Sequence, residues 1–296
     1  MSDQYRRLAS VFSTRCIRAL ASKHEPWPLD RLAPVVDLAG PGATLAEAFD
    51  TAYRLLVSGY RCECVYLNTV IQAHAGDHVE VNAIAGVRAF VSIADLVIAG
   101  ERAAAYEIKT DLDSFARLEL QLHSYSTCFE HIYVVTSLAK AARAERETAR
   151  YAGIVTVDEH GDLTVVRRPA DGLARIDRSA LFRVLRRDEL VAILQRQLGY
   201  TVDVPNGRLY RRLNELFMSL PTDTAYAEFV STLRTRDVKK RAAAHDAGLP
   251  QSLRAAVAGL TLTPTAWRRL GAVMRRPVAE FRTGTGRGAL TVSRHE

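Results

Sequence analysis

The run Ser92-Ile-Ala-Asp-Leu-Val-Ile-Ala-Gly-Glu-Arg-Ala-Ala-Ala-Tyr-Glu-Ile-Lys109 decides how this chain folds and where its chemistry lies. Two short apolar stretches flank the polar turn Ala99-Gly100-Glu101-Arg102. Alternation through Tyr106-Glu107-Ile108-Lys109-Thr110 reads as a strand, with Glu107 and Lys109 on one face and Tyr106 and Ile108 on the other. A hairpin centred on Glu101 sets Asp95 directly opposite Glu107, and directly opposed residues hold their Cβ atoms roughly 4.5–5.5 Å apart. Two carboxylates that close repel unless a cation lies between them, and Lys109 sits two positions along the same face. Such a set reads as a metal site with a catalytic lysine. Alternating charge is also what a solvated strand face shows, so the surrounding sequence has to decide.

Upstream, Tyr5 to Lys23 reads as one helix, and Pro26, Pro28, Pro34 and Gly40-Pro41-Gly42 as an irregular connection. Thr44-Leu-Ala-Glu47 fits a capping box opening a helix that Gly59 ends. Arg61 to Gln72 reads as a further helix carrying Glu63. Val79 to Phe90 reads as a long strand bent near Gly86, followed by strands Ser92–Ile98 and Ala104–Thr110. Asp113 or Ser114 is expected to cap a helix with Phe115, Leu118, Leu122, Tyr125 and Phe129 at helical spacing. Ile132–Thr136 reads as a buried strand, Ser137–Tyr151 as a charged helix, and Gly153–Asp158 with Leu163–Arg168 as a hairpin. This order predicts an α/β fold with a mixed central sheet and the Glu101 hairpin at its centre.

After Pro169 the chain reads as helices over Ser179–Leu198, Arg208–Leu220, Thr224–Arg241, Gln251–Leu260 and Thr265–Met274, studded with basic pairs. Gly-rich Thr283–Gly288 reads as a flexible tail and not a phosphate loop, because it does not join a strand to a helix. Three segments are expected: an N-terminal helical segment (1–54), an α/β core (55–170) and a basic, mainly helical C-terminal region (171–296).

The 296 residues, 48% apolar and 25% charged, suit a globular protein with a sizeable core. No apolar run reaches the ~18 residues of a transmembrane helix, and no apolar stretch follows the basic N-terminus as a secretory signal requires. Cys16, Cys62, Cys64 and Cys128 do not make a disulfide framework. A cytoplasmic protein with no membrane partner is therefore expected. Cys62-Glu63-Cys64 lacks a second pair at zinc-site spacing, and His74, His78, His123 and His131 show no paired spacing either. Residues 1–170 carry 18 Lys+Arg against 21 Asp+Glu, and residues 171–296 carry 22 against 12. An acidic centre beside a basic region suits a polyanionic substrate.

Asp95, an eleven-residue gap and Glu107-Ile-Lys109, set in α-β-β-β-α-β order, resemble the PD-(D/E)XK nuclease superfamily. Gln121-x-x-x-Tyr125 on the next helix resembles its RecB-like branch. Arg61-Cys-Glu63, Ala94-Asp-Leu-Val-Ile98, Tyr106–Thr110, Leu118–Leu122 and Tyr133–Thr136 look like a bacterial family of nuclease-like proteins within it. The resemblance covers roughly residues 55–170 and departs at Ala94, where the superfamily pattern has proline. It implies a restriction-endonuclease-like core and a Mg²⁺ ion (Mn²⁺ as an alternative) held by Asp95, Glu107 and the carbonyl of Ile108. It also implies Lys109 as the group that orients the attacking water, with Glu63, Gln121 and Tyr125 in support.

The function expected on these grounds is Mg²⁺-dependent hydrolysis of phosphodiester bonds in nucleic acid, DNA first. Arg211, Arg212, Lys239, Lys240 and Arg241 are the expected phosphate contacts. The alternative is a catalytically inactive module that keeps the fold and binds nucleic acid or a partner. Protein partners and oligomeric state are not legible.

Overall fold

The computed structural model describes residues 3–24, 26–74 and 80–282. Four helices come first: α1 (Asp3–Val11), α2 (Thr14–Ala21), α3 (Leu29–Val36) and α4 (Leu45–Gly59). Then follow α5 (Glu63–His74), β1 (Asn82–Ala89), β2 (Ser92–Ala99), β3 (Ala103–Lys109), α6 (Leu118–Ser126), β4 (His131–Ser137), α7 (Ala141–Glu147), β5 (Gly153–Val157) and β6 (Leu163–Arg167). The C-terminal part comprises α8 (Arg178–Val184), α9 (Arg187–Leu198), α10 (Asn206–Ser219), α11 (Thr222–Thr235), α12 (Val238–Asp246), α13 (Arg254–Ala258) and α14 (Pro264–Met274).

The protein is α/β, with one mixed sheet in the order β1-β2-β3-β4-β5-β6. β1, β2 and β3 form an antiparallel meander, whereas β3, β4 and β5 run parallel. Parallel neighbours need crossovers, and α6 and α7 supply them. β3 therefore lies inside the sheet. Leu96 pairs with Tyr106, Val97 with Ala105 and Ile98 with Ala104. That register turns about Glu101, and one step further it sets Asp95 across from Glu107, as the sequence predicts.

The period-2 alternation divides β2 and β3 between two cores. Val97, Ala99, Ala103 and Ala105 pack with α6 and α8–α11, while Leu96, Ile98, Tyr106 and Ile108 pack with α5 and Ala255 of α13. A third core joins α1–α4 to α12–α14, with Phe12, Phe49, Trp267 and Phe281 among its buried side chains. The boundaries expected at 54/55 and 170/171 do not coincide with the limits of these cores. The two ends of the chain fold against each other, and Leu45 N donates to Arg276 O (2.9 Å) while Val278 N donates to Ala43 O (2.9 Å).

Several local readings need correction. The first helix breaks at Ser13, whose hydroxyl caps α2 through Cys16 N. Leu29–Val36 is helical despite Pro34, because Leu32, Val35 and Val36 bury one face. Ser179–Leu198 and Thr224–Arg241 are each two helices, the second pair broken at Asp237, whose φ is +56°. Asp113 does not cap α6, which begins at Leu118. Its carboxylate accepts instead from Thr110 N (2.8 Å) and Thr110 Oγ1 (2.7 Å), closing the turn after β3. The expected Thr44/Glu47 capping box is present. Val79 and His78, and the Gly-rich Thr283–Gly288, lie outside the described residues.

Buried Asn68 on α5 ties the halves together. Its Nδ2 donates to Ser252 O (2.8 Å), and its Oδ1 accepts from Ala255 N (2.6 Å) at the start of α13. Asn68→Ala strands both groups and should cost about 1–3 kcal/mol. The expected result is a lower urea midpoint with an unchanged m-value.

Candidate active site

Asp95 and Glu107 project from adjacent antiparallel strands, and Lys109 follows Glu107 on the same face of β3. Glu107 is 2% and Lys109 7% exposed. Charges so deeply buried must be paired, and here they are. Lys109 Nζ lies 2.7 Å from Glu107 Oε1 and 3.0 Å from Gln121 Oε1 on α6. Tyr125 Oη lies 2.6 Å from Glu107 Oε2 and 2.7 Å from the Ile93 carbonyl, so its one proton faces two acceptors. Asp95 Oδ2 accepts from Ile108 N at 2.7 Å. The N–H of Ile108 thus holds the acid, on a residue buried next to β4.

The acids strain against one another. Burial pushes the Asp95 carboxyl up to about 7, and the negative charge of Glu107 adds to it, with a smaller push from Glu63. The Ile108 N–H and Lys109 pull the other way. Glu63, the first residue of α5, is exposed, yet its carboxyl is also raised by desolvation from the surrounding protein and then by Asp113 and Glu107. Burial and the adjacent Glu107 push the Tyr125 phenol well above its ordinary range, so it stays a donor.

The structure thus brings Asp95, Glu107, Lys109, Ile108, Gln121 and Tyr125 together, with Glu63 within electrostatic reach. Among the described residues no three His, Cys, Asp or Glu side chains are grouped to hold a metal. A Mg²⁺ site needs fewer protein ligands, because that ion keeps several waters and takes one or two carboxylates. Burial first, and the repulsion of Glu107 after it, lift Asp95, and a divalent cation would relieve that repulsion, so the donor set fits a hard cation.

The expected phosphate contacts fare differently. Arg211 pairs with Glu215 (3.0 Å) and Arg212 with Asp203 (3.3 Å), both on or beside α10, which packs on α8 and α9. Arg241 is half-buried and donates to Val81 O (3.2 Å) and Arg234 O (2.9 Å). Lys239 is exposed, and the side chain of Lys240 lies outside the described residues.

Lys140 and Ser137, which sequence reasoning passed over, hold the loop beside the site. Lys140 Nζ donates to Thr110 O (2.8 Å) and Asp113 O (2.7 Å), clamping the loop after β3. Arg61 faces Asp111 at 3.9 Å, and Ser137 hydrogen-bonds Asp111. No local pattern marks Lys140, since the contact spans the whole β3–α6–β4 crossover. Cys62 and Cys64, flanking Glu63, bring their Sγ atoms to 3.1 Å, an arrangement not legible as zinc spacing.

The chain is an α/β protein built on an open mixed sheet, with an acidic, lysine-bearing centre. It belongs to the family described as Bacteriophage P4 protein cII, which matches residues 66–243, more than half of the chain. The match takes in Asp95, Glu107, Lys109, Gln121 and Tyr125, and Glu63 lies just before it. No curated protein sequence matches the chain. A solved structure, the SPO1766 protein of unknown function from Silicibacter pomeroyi, is similar at 14% identity. That similarity covers 56% of this chain and 99% of the other, with a TM-score of 0.29.

A carboxyl raised to about 7 binds a proton in the folded chain that the unfolded chain, near 3.9, does not hold between pH 4 and 7. Stability of the metal-free protein should therefore fall as pH rises through that window. Asp95→Asn removes the buried charge and with it the repulsion, and should stabilise the metal-free protein at pH 7.5 by about 1–2 kcal/mol, allowing for water's screening of a half-buried acid. Chemical denaturation in EDTA at pH 5 and pH 7.5 measures this. Equal stabilisation at both values would contradict the electrostatic account.

Proposed function

We propose that this protein is a Mg²⁺-dependent phosphodiesterase acting on nucleic acid, with DNA the expected substrate. The observation that carries the reading is Lys109 Nζ, held between Glu107 and Gln121 on the strand face that Asp95 also borders. The α-β-β-β-α-β order and the mixed sheet support the resemblance to PD-(D/E)XK nucleases without deciding it.

Each residue has a task on this reading. Asp95 and Glu107 would hold Mg²⁺ or Mn²⁺, with the Ile108 carbonyl assigned as third ligand by resemblance. When bound, the ion would polarise the scissile phosphate and offset charge on the leaving oxygen. Lys109, pinned by two acceptors, presents a positive charge at fixed geometry and can orient an attacking water or stabilise the extra negative charge of the transition state. Gln121 sets the direction of the Lys109 ammonium. Tyr125 fixes the Glu107 carboxylate from its second oxygen, and Glu63 can order water at the open side.

One observation favours a second reading. Both oxygens of Glu107 already face donors within the protein, Lys109 and Tyr125. A centre satisfied in this way could persist as a structural device in a module that binds nucleic acid or a partner without cutting it.

Incubation of the full-length protein with single-stranded and duplex DNA and RNA in Mg²⁺ or Mn²⁺ separates the readings. Cleavage should vanish in EDTA and fall at least 100-fold in Lys109→Ala and Glu107→Ala. Gln121→Ala should lower kcat by about 10-fold, the low end for a positioning contact. Intact substrates under all conditions would leave the binding module as the better account. Cleavage surviving both Lys109→Ala and Glu107→Ala would place the chemistry elsewhere.

A further inference from the structure

β1 is an edge strand. A cleft of about 670 Å³ is lined by Asn82–Arg88 together with the end of α8, the α11–α12 turn and residues of α12 and α13. Among the described residues six arginines line it (Arg88, Arg183, Arg186, Arg236, Arg241 and Arg254), with His245, against one carboxylate, Asp237. Internal pairing accounts for some of this charge. Arg236 is held by Glu189 at 2.6 Å and Arg186 by Asp237 at 2.9 Å. Arg88 and Arg183 are exposed, and Arg241 donates to two carbonyls with the charge of Asp237 nearby.

A second observation is independent of charge. Two lining residues carry buried donors that meet no acceptor among the described residues, Arg241 Nε and Trp267 Nε1. Trp267 is 2% exposed. Arginine and tryptophan side chains donate only, so a ligand that meets them presents acceptor atoms. Unmet buried donors of this kind are uncommon in folded proteins.

A third links the cleft to the acidic centre. β1 pairs with β2 through Ala85↔Leu96 and Val87↔Ala94, so Gly86 stands opposite Asp95. Gly86 is exposed, lines the cleft and has φ +69°, and a Cβ built there would meet nothing within 4 Å. The floor of the cleft is therefore open beside the strand position of Asp95.

We propose that this cleft binds a single strand of nucleic acid, its phosphates on the arginines and its path leading across Gly86 to the acidic centre. The choice of nucleic acid among polyanions rests on the phosphodiesterase reading; the anion preference does not. Six residue steps of edge span about 20 Å, which suits an extended strand. A volume within the ~300–1,000 Å³ of small-ligand sites takes a few nucleotides and excludes a duplex. An acidic peptide added to the sheet edge fits less well, because the positive φ at Gly86 interrupts the edge and Arg241 already occupies Val81 O.

The test uses the full-length protein in EDTA with a fluorescent 12-nucleotide oligo-dT, read by anisotropy. Binding should weaken steeply with salt through counterion release. Arg88→Ala/Arg183→Ala, at two exposed positions, should weaken it at least 10-fold with an unchanged circular dichroism spectrum. In a Trp27→Phe background, Trp267 is the remaining tryptophan, and its emission should shift on binding. No oligonucleotide binding, equal affinity of the double variant, or equal competition by poly-glutamate would each overturn the proposal. Arginine-dependent binding without cleavage in Mg²⁺ would uphold the cleft and count against the phosphodiesterase. Cleavage indifferent to the arginines would do the reverse.

Discussion

The site depends on the buried bridge from Lys109 to Glu107 and Gln121. A strand flanked on both sides and covered on both faces is normally apolar throughout, and Tyr106 and Ile108 obey that rule on one side of β3. On the other side Glu107 and Lys109 break it. Their burial is tolerable because the ion pair at 2.7 Å is completed by α6, with Gln121 on the ammonium and Tyr125 on the carboxylate. The same contacts fix the rotation of α6 about its axis, which turns Leu118 and Leu122 into the core beneath it. A purely apolar pair at 107 and 109 would pack there at less cost. Local rules broken with full compensation are expected where chemistry overrides stability.

Asp95 shows the same conflict less fully resolved. Its partner is a backbone N–H from Ile108, which offsets only part of the desolvation and of the repulsion from Glu107. The hairpin forces the two acids together: once Leu96 pairs with Tyr106, no other placement of Asp95 keeps the alternation of β2. Register, a property of the whole hairpin, thus sets the electrostatics of one side chain.

Register is also why so much was legible in sequence. The turn at Glu101, the period-2 alternation and the following helix are local patterns, and from them the face of Glu107 and Lys109 and the neighbours Gln121 and Tyr125 could be read. Readings failed where a distant contact competes with a local one. Asp113 looks like a helix cap, but Thr110 offers its hydroxyl and N–H nearer, so the carboxylate closes a turn instead. Leu29–Val36 looks irregular by its prolines, yet one face fills the core that the chain's two ends build together. Arg241 looks like a phosphate contact by its Lys-Lys-Arg setting, and only the fold shows that two carbonyls claim it.

The distribution of charge along the chain carries the same lesson further. A basic excess over 171–296 suggests a basic surface patch, but the arginine pairs scatter among different environments. Arg211 and Arg212 meet acids on or near their own helix, while Arg183, far away in sequence, converges with Arg88 from the acidic half on one cleft. What brings them together is the edge of β1. That edge is also tied to the acidic centre, because Gly86 stands opposite Asp95. Any L side chain there would be strained at φ +69°. On the proposed path across Gly86, a polyanion would meet the arginines first and the carboxylates last. Such an order of charges suits a centre where a cation, not the protein, must make the final approach of a phosphate favourable.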